Sequence, residues 1–204
     1  MSEYGIIILG AVAQRAEACH KSEMVNQLLF GEQVLIEKVQ NKWVYALHSI
    51  DNYGGWIDIN QIKPINKQDF EFLQKCTLYT PFNIVEKVEI NNSISFMIAA
   101  GSNIYKSHEQ LLLYPGMNIT NTFQLLCMDK LNKDLIWDKA KQYLNIPYLW
   151  GGRSFFGIDC SGFIQLVFKQ CGITLPRDAS QQVNCGSIVA FNNEAKAGDL
   201  AFFD

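Results

Sequence analysis

The stretch GGRSFFGIDCSGFIQLVF covers residues 151–168 and decides how this sequence is interpreted. Its second half carries apolar residues at helical spacing, and Gly172 stands where the C-terminal cap of a helix belongs. The pattern predicts an α-helix over residues 160–171. Cys160 then lies in the first turn of that helix, directly after Asp159.

This position gives Cys160 two interpretations. Backbone N–H groups at the start of a helix have no partner within it, so they stabilise a thiolate and can bind an oxyanion that forms when the sulfur attacks a carbonyl. Gly162 also leaves one side of the first turn without a side chain. The alternative is an ordinary small core residue, which is the usual role of a cysteine near a helix start. The position alone leaves both interpretations open.

The bulk composition narrows the class of protein. The chain has 204 residues, of which 49% are apolar and 18% charged, which is typical of a folded globular protein with one large domain or two to three small ones. The net charge of −3 gives no electrostatic reason to expect a nucleic acid partner. No apolar run approaches the roughly 18–20 residues that span a bilayer, so no membrane partner is expected.

The N-terminus reads MSEYGIIILGAVAQRAE. Its apolar stretch is short and follows Glu3, where a secretory signal peptide would carry Lys or Arg. We interpret it as a first β-strand and expect a cytoplasmic protein. The six cysteines form no C-x-x-C pair and no zinc-ligand spacing, so free thiols are expected. The three histidines, His20, His48 and His108, lack metal-ligand spacing, and no metal or other cofactor is expected.

Two kinds of pattern divide the chain. Residues 1–65 consist of short alternating runs and turn signals, which predict a small β-barrel, and residues 66–125 predict a second β-rich region. Residues 126–204 predict an α+β segment, with a helix over residues 133–143 in addition to the one that begins at Cys160. Within that segment, SIVAF (residues 187–191) predicts a strand, and AKAGDLAFFD (195–204) predicts a turn that leads into another.

Residues 130–204 resemble the NlpC family of papain-like cell-wall peptidases. The motifs PYLWGG (147–152), DCSGF (159–163), GITLPR (172–177) and GDL (198–200) follow one another in the family's order and spacing. Residues 5–65 resemble bacterial SH3-like domains attached to cell-wall enzymes, through LLFGE, a Trp-bearing strand and GWI. The resemblance implies an α+β fold: a papain-like peptidase domain, incomplete at its C-terminus, preceded by one or two small SH3-like β-barrels, of which the region 66–125 is possibly the second.

The resemblance to NlpC peptidases also implies roles. Cys160 attacks the scissile carbonyl and forms a thioester, while the hydroxyl of Tyr148 helps the Cys160 N–H to hold the oxyanion; the alternative for Tyr148 is packing in the wall of the groove. Asp159 binds a free amino group of the substrate, the alternative being a simple helix N-cap. The same groove is lined by Ser161, Asp178 and Ser180, with Arg177 as a structural contact.

The SH3-like domain in front resembles the arrangement of the γ-D-glutamyl-L-diamino acid endopeptidases. These cut murein tripeptides and tetrapeptides after D-Glu during peptidoglycan recycling, and an acidic residue of their first barrel helps to select a free N-terminal L-Ala. Glu23 is the candidate for that residue, with Glu17 and Glu32 as rivals and a solvated loop charge as the alternative. Tyr53 and Trp56 are predicted to face the cleft.

The sequence departs from the family in its histidines. NlpC peptidases place the base histidine shortly after GDLxFF, whereas this sequence stops at Asp204, and its histidines lie in the N-terminal half. We therefore expect a piece of a longer chain that lacks peptidase activity by itself. One alternative is a module that binds cell-wall peptide and has an inactive catalytic half. A thiol acyltransferase or amidase acting on lipids is disfavoured, because the carboxylate of Asp159 suits an ammonium group better than an acyl chain.

Overall fold

A computed structural model of the protein describes residues 3–203. The chain forms two seven-stranded antiparallel sheets in succession, then a segment with short helices and a two-stranded hairpin. Within the described residues, no helix combines the length and apolar character needed to cross a membrane.

The first sheet contains the strands predicted for the N-terminal barrel, in the order β3-β2-β6-β5-β4-β1-β7. Side chains alternate across these strands, so that one face packs into a shared apolar core. A 3-10 turn at Ile59–Gln61 separates the last two strands. The strands are β1 (Tyr4–Ile7), β2 (Ala11–Arg15), β3 (Met24–Leu29), β4 (Gln33–Gln40), β5 (Trp43–His48), β6 (Gly54–Asp58) and β7 (Ile62–Ile65).

Helix α1 (Lys67–Leu73) leads into the second sheet, whose order is β10-β9-β13-β12-β11-β8-β14. Its last strand pairs with β8 and runs past residue 125, the predicted end of this region. The strands are β8 (Thr77–Pro81), β9 (Val85–Ile90), β10 (Ile94–Ala99), β11 (Ile104–Ser107), β12 (Gln110–Tyr114), β13 (Met117–Thr120) and β14 (Leu125–Cys127).

The third segment carries the predicted helices. The pattern over residues 133–143 folds as a 3-10 turn followed by α2, and α3 begins at Cys160 with Asp159 as its N-cap. Gly172 follows the C-cap residue at φ +79°, as its position in the sequence predicts. The elements are the 3-10 turn Lys133–Leu135, α2 (Ile136–Gln142), β15 (Arg153–Ser154), β16 (Gly157–Ile158), α3 (Cys160–Gln170), α4 (Ala179–Gln182) and the 3-10 turns Val183–Cys185 and Asn192–Glu194.

The predicted strands over residues 187–191 and after Gly198 are wrong. Within residues 3–203 neither segment is a strand, and Ile188 and Phe203 are 97% and 91% exposed; Asp204, the last residue of the second segment, lies outside the described residues. A strand needs a neighbour to satisfy its N–H and C=O groups, and the residues that the structure describes pair no strand with either segment.

The turn between β3 and β4 brings the three parts of the chain together. The hydroxyl of Tyr105, from the second sheet, donates to the carbonyl of Gly31 at 2.8 Å, and the Asn103 N–H donates to the carbonyl of Phe30 at 2.7 Å. Gly31 has φ +77°, and a Cβ there would lie 1.9 Å from the Asn103 oxygen, so only glycine fits. Glu32, the next residue, contacts the third segment.

Candidate active site

Cys160 is the first residue of α3 and is exposed. Asp159 caps the helix, because its Oδ1 accepts a hydrogen bond from the Gly162 N–H at 2.7 Å. A Cβ on Gly162 would lie 2.5 Å from the Gly152 oxygen, so the glycine of the DCSG motif lets the helix start close to the preceding loop. The local sequence thus places an exposed thiol at the N-terminus of a capped helix.

The loop before the nucleophile is held by its own backbone and by the first sheet. The Asp159 N–H donates to the Gly152 carbonyl at 3.2 Å, and Tyr148 forms a parallel bridge with Ile158. Gly151 has φ +72°, and a Cβ there would lie 2.2 Å from the Met24 oxygen. The glycines of the WGG motif therefore allow this loop to lie directly on β3. Tyr148 itself is 65% exposed.

The carboxylate of Asp159 is bound on all sides. Arg177 donates to Oδ1 at 3.0 Å and to Oδ2 at 2.5 Å, the Gly151 N–H donates to Oδ2 at 3.0 Å, and the Ser161 hydroxyl donates to Oδ1 at 3.3 Å. With the Gly162 N–H, these five donors exceed the roughly four lone-pair sites of a carboxylate. This geometry matches the N-cap alternative, and the binding of a substrate amine by Asp159 stays a prediction.

Arg177 is buried and links this network to the first sheet. Its Nε donates to Asn26 Oδ1 at 2.8 Å, and its Nη1 also donates to the Ser161 hydroxyl at 2.8 Å. Ser161 is buried in the same network. Arg177 thus connects β3 with the start of the nucleophile's helix.

Two of the predicted groove residues meet across the first sheet and α4. Asp178 precedes α4 and is close enough for its charge to act on Tyr53. Burial, together with the charge and hydrogen bond of Asp178, raises the pKa of Tyr53 to about 12. Ser180 is exposed on α4. Trp56 is half-buried against Tyr45 of its own sheet, with ring centroids 5.4 Å apart.

The three acidic candidates, Glu17, Glu23 and Glu32, differ in how exposed they are. Glu23 is exposed, and its Oε1 accepts a hydrogen bond from the Trp150 indole at 2.6 Å, which places it beside the WGG motif. Glu17 is exposed in the same loop. Glu32 is fully buried and paired with Arg153 and Lys169, so it is not available to a substrate.

Comparison with known proteins gives this arrangement a family. A model described as "NlpC/P60 family" matches residues 145–204, and one described as "Bacterial dipeptidyl-peptidase Sh3 domain" matches residues 15–62. A gamma-D-glutamyl-L-lysine dipeptidyl-peptidase of Bacillus subtilis is 30% identical over 201 residues, which cover 93% of this chain and 67% of the relative. The chain belongs to the NlpC/P60 family.

Two further NlpC/P60 comparisons agree. The Bacillus cereus protein with the same name is 28% identical over 211 residues, covering 89% of this chain and 60% of the relative. A crystal structure of an NlpC/P60 family protein from Bacillus cereus superposes with a TM-score of 0.81 at 20% identity, covering 96% of this chain and 81% of that one. This likeness shows the fold, with its SH3-like domain in front of an NlpC/P60 domain.

The histidines of this NlpC/P60 chain lie away from its candidate nucleophile. His20 accepts from Lys42 at 3.0 Å, His48 lies between Asp51 and Glu32, and His108 occupies the turn between β11 and β12. Over residues 3–203, the structure pairs no histidine with Cys160 and contains no group of His, Cys, Asp and Glu that suits a metal ion. All six cysteines are free thiols.

Sequence reasoning missed a buried charged cluster at the centre of the molecule, which consists of Glu32, His48, Asp51, Arg153 and Lys169. Burial would raise the pKa of Glu32, but the charges of Arg153, Lys169 and His48 outweigh it and hold that pKa far below its ordinary value. The partners come from distant parts of the sequence, so no local motif marks them. The one available signal was a charged residue inside otherwise apolar or glycine-rich runs, such as LLFGE and GGRSFFG.

Proposed function

We propose that this protein is a cysteine peptidase that cleaves murein stem peptides between γ-D-Glu and the diamino acid and requires a free N-terminal L-Ala. The observation that carries the proposal is the exposed thiol of Cys160 at the start of a capped helix, with Glu23 and Tyr53 of the SH3-like domain brought to the neighbouring residues Trp150 and Asp178. The names of the two Bacillus relatives, gamma-D-glutamyl-L-lysine dipeptidyl-peptidase, support this bond as the site of cleavage. Because the chain spans 67% and 60% of those relatives, the activity of the whole protein is part of the proposal.

The chemistry follows from the position of the thiol. Cys160 attacks the carbonyl carbon of the γ-D-Glu side chain, and the helix N-terminus and the Tyr148 hydroxyl bind the resulting oxyanion. The thiol proton must pass to a base, which later protonates the leaving amine. Within residues 3–203, the histidines are paired with groups other than Cys160 or lie in the β11–β12 turn.

Glu23 is the residue that we propose for selecting the free amine. It is exposed at the rim next to Trp150, whereas the charge of Asp159 is already matched by Arg177. Asp178, whose charge acts on Tyr53 of the SH3-like domain, is the second carboxylate that we propose for this groove. Asp159 then acts mainly by capping α3 and holding the WGG loop. A free L-Ala exists only on stem peptides already released from the glycan, which favours a role in cytoplasmic peptidoglycan recycling.

The direct test is cleavage of L-Ala-γ-D-Glu-L-Lys by the purified product of the complete open reading frame that encodes this chain, followed by liquid chromatography and mass spectrometry. Expected products are L-Ala-γ-D-Glu and L-Lys, with no cleavage of the N-acetylated peptide. Cys160→Ala should abolish turnover, whereas Cys185→Ala, which removes another exposed thiol, should not. Turnover that survives Cys160→Ala would exclude Cys160 as the nucleophile, and equal cleavage of the acetylated peptide would exclude selection of the amine.

A second candidate function is a module that binds cell-wall peptide without cutting it. The positions of the three histidines, each held by groups other than Cys160 or placed in the β11–β12 turn, favour it. Calorimetric titration with the same tripeptide distinguishes the two functions. Binding with equal affinity by the wild type and by Cys160→Ala, with no product formed by either, supports the binding module.

A further inference from the structure

The carboxylate of Glu32 connects the two elements that meet at the candidate nucleophile. We propose that Glu32 is a positioning residue for Cys160. From the SH3-like domain, it holds both the β15–β16 hairpin that precedes Cys160 and helix α3, which begins at Cys160. The inference rests on the proposed function only in taking Cys160 as the reactive thiol. It concerns a residue that no substrate can reach, because Glu32 is fully buried.

The first connection is to the strand before Cys160. Arg153 Nη2 donates to Glu32 Oε1 at 2.5 Å, and Nη1 donates to Oε2 at 3.2 Å. Arg153 is paired with Ile158 across the β15–β16 hairpin, and Ile158 is separated from Cys160 only by Asp159. Gln27 of the SH3-like domain strengthens this connection. Its Oε1 accepts from the backbone N–H of Arg153 at 2.8 Å, and its carbonyl accepts from Nη1 of Arg153 at 3.0 Å. Moving Arg153 therefore moves the hairpin that ends at the nucleophile.

The second connection is to the helix after Cys160. Lys169 lies in the last turn of α3, and its Nζ donates to Glu32 Oε1 at 2.8 Å and to the Gly101 carbonyl at 2.6 Å. Lys169 lies nine positions after Cys160 along α3, a rise of about 14 Å at 1.5 Å per residue. Glu32 thus acts on Cys160 by orienting α3, and its complete burial keeps it from contact with a substrate.

The charges make this arrangement sensitive to Glu32. One carboxylate faces two buried cations, Oε2 also accepts from the Leu29 N–H at 2.9 Å, and His48 Nε2 lies 3.6 Å from Oε1. Replacing the carboxylate by an amide of the same shape would keep the Leu29 hydrogen bond and remove the charge that pairs directly with Arg153 and Lys169, leaving Asp51 as the one carboxylate of the cluster that acts on them. The two cations would then separate, and the hairpin and α3 would lose their common anchor.

Loosening α3 should make the Cys160 thiol less reactive. Cys160 is already exposed, so loosening α3 adds little access for a small alkylating reagent. What Cys160 loses is the alignment of its sulfur with the N–H groups at the helix start, an interaction that corresponds to about a three- to fivefold change in reactivity. The rate of alkylation of Cys160 at pH 7 should therefore fall by about three- to fivefold in Glu32→Gln.

The experiment measures that rate by reaction with iodoacetamide and peptide mass spectrometry, with Cys19 and Cys185 as internal controls for exposed thiols. Hydrogen exchange of residues 157–165 is measured in parallel. Val88→Ala, in the core of the second sheet, is the matched destabilised variant. We expect slower alkylation of Cys160 and faster exchange of 157–165 in Glu32→Gln but not in Val88→Ala. Equal changes in both variants, or an unchanged Cys160 rate in Glu32→Gln, would overturn the proposal.

A second variant keeps the test decisive if Glu32→Gln does not fold. Lys169→Met removes the connection to the helix and leaves the Glu32–Arg153 pair, and Lys106→Met, on the second sheet, is its control. Lys169→Met should slow alkylation of Cys160 in the same direction by a smaller factor, while an unchanged rate would exclude the positioning role. Both readouts follow the order and reactivity of the thiol without any substrate. A wild type that fails to cleave murein peptide would thus contradict the proposed function and leave this inference standing.

Discussion

The indole N–H of Trp150 donates a 2.6 Å hydrogen bond to Oε1 of Glu23, joining the WGG motif of the NlpC/P60 domain to a loop of the SH3-like domain 127 residues away. Both side chains are exposed, so the contact fixes a carboxylate at the surface. The hydrogen bond gives Glu23 one preferred orientation. This is the property that a residue selecting a substrate amine requires, because a preorganised charge loses less entropy on binding.

Glu23→Gln should weaken binding of the tripeptide. The amide keeps an acceptor for Trp150 but loses the charge that an ammonium group needs, so the dissociation constant of L-Ala-γ-D-Glu-L-Lys should rise about tenfold, as for the loss of one charge-assisted hydrogen bond. Calorimetry in the Cys160→Ala background measures this without turnover. Glu17→Gln, in the same loop, is the control. An equal rise in the dissociation constant for the two substitutions would show that the overall negative charge of the loop attracts the amine, and that Glu23 does not bind it specifically.

Arg177→Met should be among the most destabilising substitutions in the protein. It leaves the buried carboxylate of Asp159 without its cation, which costs about 3–5 kcal/mol of unfolding free energy. The double variant Asp159→Asn with Arg177→Met should recover part of that loss, because no uncompensated charge remains. Urea unfolding of the four proteins in this cycle gives the coupling energy. Additive effects would mean that the pair does not interact as the structure places it.

Acid should destabilise the fold through the carboxylates of the buried charged cluster. Burial opposes ionisation of Asp51, but the hydrogen bond and charge of His48 outweigh it and lower its pKa from 3.8 to about 2, and the pKa of Glu32 is lowered further. Groups with depressed folded pKa values contribute stability above their unfolded pKa and lose it as the pH falls through the folded value. The unfolding free energy should therefore fall between pH 5 and pH 2, by about 2 kcal/mol for Asp51.

Urea midpoints measured across that range test the assignment of this pH dependence. Asp51→Asn and Glu32→Gln should each give a shallower slope than the wild type, because the substituted group no longer binds a proton on unfolding. Asp69→Asn, at the exposed start of α1, should leave the slope nearly unchanged. Parallel slopes in wild type and Asp51→Asn would show that other carboxyls carry the acid sensitivity.

The sequence predicted the nucleophile's surroundings well because their determinants are local. Asp159 caps the helix that begins at Cys160, and Gly172 ends it, since both roles depend on neighbours within a turn or two of chain. The cleft-facing position of Tyr53 and the place of Asp178 in the groove stay predictions, and the charge of Asp178 acts on Tyr53. These predictions needed only the motif and its spacing.

The prediction was weaker wherever partners are distant in the sequence. Glu32 was one of three acidic candidates for the substrate amine, and nothing near it in the chain reveals that Arg153 and Lys169, 121 and 137 residues away, cover it. Likewise, an apolar run such as residues 187–191 predicts a strand, yet a strand forms only where another strand is available to pair with it. The local sequence pattern determines which secondary structure a segment prefers. The rest of the fold determines whether the partner that this structure needs is nearby.

Gly151→Ala should separate the WGG loop from the SH3-like domain, and Gly116→Ala provides a control of the same backbone type. Both glycines have a left-handed backbone, at φ +72° and +87°, so an alanine strains each by about 1–2 kcal/mol. The space around them differs: a Cβ on Gly151 would lie 2.2 Å from the Met24 oxygen, whereas one on Gly116 meets nothing within 4 Å. Gly151→Ala should therefore lose clearly more unfolding free energy than Gly116→Ala. It should also speed hydrogen exchange in β3 and in residues 147–152, because the backbones must move apart. Equal losses in the two variants would mean that the loop does not lie on β3, and the proposed selection of the amine by Glu23 beside Trp150 would lose its structural basis.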